Sequence, residues 1–73
     1  MTGTEPRATR IDARGLRCPW PALRLARALR AGATEVEIVA DDPAAPRELA
    51  AVAEAAGARL ISPSPGVFSI HCG

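Results

Sequence analysis

Lysine is absent from this 73-residue chain, and all nine of its cations are arginine. Arginine suits bidentate contact with carboxylate or phosphate, although a chain rich in both Arg and Ala is first explained by composition. Aromatic side chains are scarce, one Trp and one Phe with no Tyr, which weighs against a nucleic-acid-binding surface. Two cysteines allow at most one bridge, fewer than a small secreted domain held by disulfides carries, so a reducing, cytoplasmic setting is expected. The stretch from Met1 to Arg10 has no apolar h-region, and no apolar run approaches the roughly 18 residues that span a bilayer. Neither secretion nor membrane insertion is therefore expected. There is no Cys-x-x-Cys, no phosphate-binding glycine loop and only a single histidine, His71, so no metal site is expected.

What remains is one small domain. A chain of this length buries only roughly 60% of its unfolded surface, which leaves a thin stability margin and no room for a large catalytic cavity. Mean hydropathy is +0.06 with charges of both signs, ordinary for a globular protein. The net charge of +1 hides a polarity. Residues 1 to 36 carry seven arginines against Glu5, Asp12 and Glu35, whereas residues 37 to 73 carry two arginines against five acids.

Residues 1–7 contain Gly3 and Pro6 without periodicity and read as a flexible N-terminal tail, with a single domain over 8–73. Thr9 to Ala13 alternates as a short strand, and Arg14-Gly15 turns the chain. From Pro19 to Arg30, Ala22, Leu25, Ala26 and Leu29 share one helical face, while Arg24, Arg27 and Arg30 gather on the other. Val36, Ile38 and Ala40 mark a second strand. Asp41-Asp42-Pro43 then supplies acidic caps for a helix over about 46–56, whose apolar face is Leu49, Val52, Ala53 and Ala56. Ala58–Ser62 and Val67–Cys72 read as two strands joined through Pro63-Ser64-Pro65-Gly66. The order is βαβαββ. Helical crossovers join parallel strands and the short last connection makes an antiparallel hairpin. The expected fold is therefore α/β, an α+β two-layer sandwich with a mixed four-stranded sheet and both helices on one face.

Cys18 is the residue with the most chemistry. It lies in Gly15-Leu16-Arg17-Cys18-Pro19-Trp20-Pro21, at the start of the first helix, where free N–H groups, the helix dipole and the nearby Arg14 and Arg17 favour thiolate over thiol. Pro19 and Pro21 are tolerated in a first turn and stiffen it. Such a sulfur can attack a disulfide, an electrophilic carbon or a sulfane sulfur, and nothing local selects among these. Pro21 occupies the position of a resolving cysteine.

Asp12, Gly15, Leu16, Cys18, Pro19 and Pro21, followed by Asp41-Asp42-Pro43, resemble the TusA/SirA/YedF-like family of small sulfur carriers, whose hallmark is Cys-Pro-x-Pro at the start of the first helix. The resemblance runs from about Ile11 to Ile70. It implies a βαβαββ sandwich with Cys18 as the sulfur acceptor and donor, carrying a transient persulfide with no other cofactor, and with Pro19 and Pro21 shaping the helix start. It also implies partners: a sulfur donor such as a cysteine desulfurase or rhodanese-type protein, and a downstream acceptor serving tRNA thiolation, cofactor synthesis or sulfur oxidation. Turnover by such a carrier needs those partner enzymes. Trp20 stands where family members vary.

Other residues divide between function and packing. Trp20, Arg24 and Arg27 are candidates for partner docking, and Asp41 and Asp42 for capping the second helix with a partner role second. Cys72 projects to the opposite sheet edge, about 15–20 Å from Cys18 for a strand of this length, and reads as a bystander. The competing functions are a nucleic-acid-binding or regulatory module using the Arg stripe and a thiol redox sensor using Cys18.

Overall fold

The computed structural model describes residues 8–72, so the expected tail at 1–7 lies outside the described residues. The elements are β1 (Ala8–Ala13), α1 (Trp20–Arg30), β2 (Glu35–Ala40), α2 (Ala45–Ala55), β3 (Arg59–Ser64) and β4 (Val67–His71). They form one four-stranded sheet in the order β1-β2-β4-β3. β1 and β2 run parallel from Ala8 opposite Glu35 to Ala13 opposite Ala40, and β4 lies antiparallel to both β2 and β3. The expected order and mixed sheet are both present.

Alternation explains the layering. In β2, Val36, Ile38 and Ala40 are buried, and in β4 Phe68 and Ile70 are buried, each separated by a less buried residue. These side chains meet Leu25 of α1 and Leu49 and Ala53 of α2 in one continuous core that also takes in Ala13. On the open face Arg10 donates to Glu37 across the β1–β2 pair at 3.2 Å, an exposed contact.

Several element ends differ by a residue from the sequence reading, β4 for example stopping at His71 and not at Cys72, and two of the differences have identifiable reasons. α1 begins at Trp20 because Pro19, at φ −101° and ψ 18°, is outside the helix while its carbonyl accepts the N–H of Leu23 at 3.0 Å. β3 continues to Ser64, past the expected Ser62, because an irregularity in its pairing between Ile61 and Ser64 accommodates Pro63 on an edge strand, leaving only Pro65-Gly66 as the connection.

That hairpin tip is fastened to the end of β2. Ala40 donates its N–H to the Gly66 carbonyl at 2.9 Å, Gly66 has φ +79°, and an added Cβ there would lie 3.2 Å from the Ala40 carbonyl oxygen. Gly66→Ala is therefore expected to cost about 1–2 kcal/mol from the left-handed backbone, plus the cost of displacing Ala40. Urea unfolding with an unchanged m-value and a lowered midpoint checks this.

Candidate functional site

The carboxyl ends of β1 and β2 and the β3–β4 turn share one sheet edge, and the residues singled out from the sequence converge there. Ala13, the last residue of β1, accepts the N–H of Leu16 at 3.2 Å, and Leu16 packs against the core, anchoring the start of the loop. The chain then makes a tight turn over Arg17-Cys18-Pro19-Trp20, closed by the Trp20 N–H donating to the Arg17 carbonyl at 2.8 Å, with the Cys18–Pro19 peptide bond cis. Cys18 is at the apex of this turn and is exposed; Pro19 beside it is exposed and Pro21 is buried in the first turn of α1.

Asp41 does not cap α2. Its Oδ1 accepts the N–H of Gly15 at 3.0 Å, tying the loop after β2 to the loop that carries Cys18, and Gly15 itself has φ +83°. Asp42 closes the turn that leads into α2, with Oδ2 accepting the Ala44 N–H at 3.1 Å and its carbonyl accepting the Ala45 N–H at 2.9 Å. The adjacent acids therefore have separate jobs, one joining two loops and the other opening α2. Both follow from consecutive residues beyond a strand end presenting their side chains in different directions.

The electrostatics around the sulfur are the reverse of the sequence expectation. Arg14 turns back on Asp12, with Nε 2.9 Å from Oδ1 and Nη2 2.9 Å from Oδ2, so its charge is committed to that pair. The Cys18 thiol is instead pushed above its ordinary value, first by the Glu48 carboxylate from the first turn of α2, then by partial desolvation, with Asp42 adding further negative charge. Fewer N–H groups than usual are left free at the start of α1. Pro19 and Pro21 have no N–H, that of Trp20 goes to Arg17 and that of Leu23 goes to Pro19. The nearby carboxylates therefore disfavour the Cys18 thiolate instead of stabilising it.

Glu48 is the site residue that sequence reasoning does not find. Side chains on a helix lean toward its N-terminus, so an acid in the first turn of α2 reaches over the helix end toward the neighbouring loop. From sequence, a lone acid in a first turn reads as a partner for the helix dipole. Only the packing of α1 beside α2 brings a thiol to it.

The remaining candidates lie along or away from this edge. Trp20 is 56% exposed and Leu23 49% exposed, an uncovered apolar pair on the outer face of α1 next to Cys18. Arg24 and Arg27 are exposed on the flank of α1 that borders edge strand β1. Cys72 is half-buried at the opposite edge, its N–H donating to the Thr34 carbonyl at 2.8 Å just before β2 begins, so it is not brought to Cys18. His71 sits at that far edge too, Nδ1 3.5 Å from a Glu35 carboxylate oxygen. Among the described residues no three His, Cys, Asp or Glu side chains are placed to share a metal ion.

The Asp12–Arg14 pair has its own measurable signature. The guanidinium and backbone N–H of Arg14 hold the Asp12 carboxyl down to about 2, against an ordinary 3.8. Because the folded value is the lower one, the pair's contribution to stability is present above the ordinary carboxylate range and is lost as pH falls toward about 2. NMR titration of the Asp12 carboxyl is expected to show that low midpoint, and Arg14→Ala to raise it part of the way, because the backbone N–H of residue 14 still donates to Asp12.

A mixed βαβαββ sheet with two helices on one face, presenting a single exposed cysteine before its first helix, defines a small thiol-bearing α+β domain. The family model described as Sulfurtransferase TusA matches residues 9–72, so the chain belongs to the TusA sulfurtransferase family and shares its general role as a sulfur carrier working with sulfur-relay partners. A comparison with curated proteins gives no match. No helix among the described residues is long and apolar enough to cross a membrane.

Proposed function

We propose that Cys18 is the carrier atom of this protein, accepting sulfane sulfur from a cysteine desulfurase or rhodanese-type donor and passing it to a downstream acceptor protein in tRNA thiolation, cofactor synthesis or sulfur oxidation. The observation that carries this reading is one exposed thiol at the apex of a tight turn, in a chain matched almost throughout by a sulfurtransferase family, with the other thiol at the opposite edge. In the loading step Cys18 loses its proton and attacks the outer sulfur of the donor's persulfide. A Cys18 S–S bond forms, the donor's S–S bond breaks, and the donor leaves as a thiolate that takes up a proton. No external oxidant is required, and delivery to the acceptor is the same exchange with the carrier as the leaving group.

The site is too small to supply more than position. Trp20 and Leu23 form an apolar anchor beside the sulfur, and Arg24 and Arg27 add a cationic flank for an acidic partner surface, where charge sets encounter rate and specificity. A peroxide sensor depends on a low thiol pKa, and the carboxylates beside Cys18 act in the other direction. Incubation with a cysteine desulfurase and cysteine, followed by intact-mass measurement, is expected to give a reducible one-sulfur adduct. Absence of that adduct with both a desulfurase and a rhodanese-type donor overturns the proposal.

A further inference from the structure

β1 closes the sheet on one side and β3 on the other, and the two edges are built differently. β3 carries Pro63 and an irregularity in its pairing between Ile61 and Ser64, both of which spoil an edge for a further strand. β1 has neither. It pairs with β2 in unbroken register over all six residues, so every second residue turns its N–H and C=O outward. Among the described residues no strand covers that side.

Beside this edge a groove of about 700 Å³ runs between β1 and α1, with Thr9, Ile11, Arg24, Arg27, Ala28 and Ala31 among its lining. Ile11 and Ala28 pack against the core and give it an apolar floor. Along the strand the charges cancel in pairs, Arg10 with Glu37 and Arg14 with Asp12. Arg24 and Arg27 are exposed and make no ion pair among the described residues, so the groove keeps an uncompensated positive charge.

We propose that the β1 edge is a docking site for an extended acidic segment of another protein, which adds to the sheet as a fifth strand and lays its carboxylates against Arg24 and Arg27. Main-chain hydrogen bonds to β1 supply affinity, and alternate side chains supply specificity. Side chains of the added strand alternate between the helix layer and the open face, so acids at every second position all meet α1. Arg24 and Arg27 lie about 4.5 Å apart along the helix axis and such acids about 6.7 Å apart, a difference that two long arginine side chains take up. A second copy of the chain fits less well. Pairing two β1 strands edge to edge keeps both α1 helices on one face and brings their Arg24 and Arg27 together, like charges with no counterpart. Cys18 takes no part in this docking, so its outcome is separate from that of sulfur loading.

The probe is a fluorescein-labelled peptide, Thr-Glu-Val-Glu-Val-Glu-Val-Thr, titrated with the full chain and followed by fluorescence anisotropy. One-to-one binding that weakens with added salt is expected, with slowed amide exchange at alternate residues of β1. Replacing the glutamates by glutamine, or combining Arg24→Gln with Arg27→Gln, is expected to weaken binding roughly three- to tenfold, the effect of losing two exposed ion pairs. Both arginines are exposed, so the fold is kept. N-methylation of the peptide separates strand addition from a plain surface contact: methylating one alternate set of residues abolishes binding, and methylating the other set leaves it.

A peptide that does not bind, binds equally well with glutamine, or tolerates both N-methylated sets overturns the proposal. Displacement of the peptide by polyuridine at a lower concentration than by unlabelled peptide also overturns it and marks a nucleic-acid site. So does protection of the outward β1 amides in the free chain. Protection that grows with protein concentration assigns the edge to a second copy, and protection that does not assigns it to residues 1–7.

Discussion

Cys18→Ser is expected to abolish sulfur loading completely, whereas Cys72→Ser is expected to load to the same extent as the unaltered chain. The prediction is all-or-none because the adduct is a covalent bond to one atom, and a hydroxyl does not carry sulfane sulfur. Cys18 is exposed at the apex of a turn closed by the Trp20–Arg17 hydrogen bond, so exchanging its sulfur for oxygen removes no core contact and leaves the fold intact. Cys72 is fixed by its N–H to Thr34, at the end of the sheet where β2 begins, while Cys18 follows the end where β1 stops. The six paired residues between those ends span roughly 20 Å at the rise of a strand, far beyond disulfide reach. Intact-mass measurement of the two variants after desulfurase treatment reads the result. Loading of Cys18→Ser at the level of the unaltered chain would transfer the carrier role to Cys72.

How much of this is legible in the sequence depends on the range of the interaction. The βαβαββ order and the core positions Leu25, Val36, Ile38, Leu49, Phe68 and Ile70 follow from local periodicity, because burying one face of each strand and helix is what the alternation encodes. The motif around Cys18 is likewise local and specific enough to carry a family resemblance, and the family match agrees with it. The charge environment of the sulfur is not local. Sequence proximity suggests Arg14 as a neighbour of Cys18, but Asp12 is two residues away on the same strand end and captures it with matched geometry. Glu48 lies thirty residues downstream and meets the thiol only because the two crossover helices begin at the same sheet edge. Asp41 reads as a cap because a carboxylate before a helix usually is one. Its actual donor, Gly15, belongs to a loop that only the parallel β1–β2 pairing brings alongside.

Leu25→Ala is expected to cost about 2–5 kcal/mol, the range for truncating a fully buried leucine. Leu25 is completely buried where α1 meets the sheet, in the same core as Ala13, Ile38 and Leu49. A domain of this length holds only about 4–11 kcal/mol in total, from roughly 0.05–0.15 kcal/mol per residue, so one substitution removes a large share of it. The loss reaches the site as well. α1 supplies the Pro19 carbonyl its Leu23 partner and closes the turn that carries Cys18, and its packing beside α2 brings that turn to Glu48. A loosened α1 therefore frees the thiol from its carboxylate before the sheet unfolds. Urea unfolding is expected to show a lowered midpoint, and alkylation of Cys18 by iodoacetamide to accelerate at urea concentrations below that midpoint. Alkylation that tracks global unfolding alone would mean that α1 and the sheet melt as one unit, with the cysteine turn no weaker than the core beneath it.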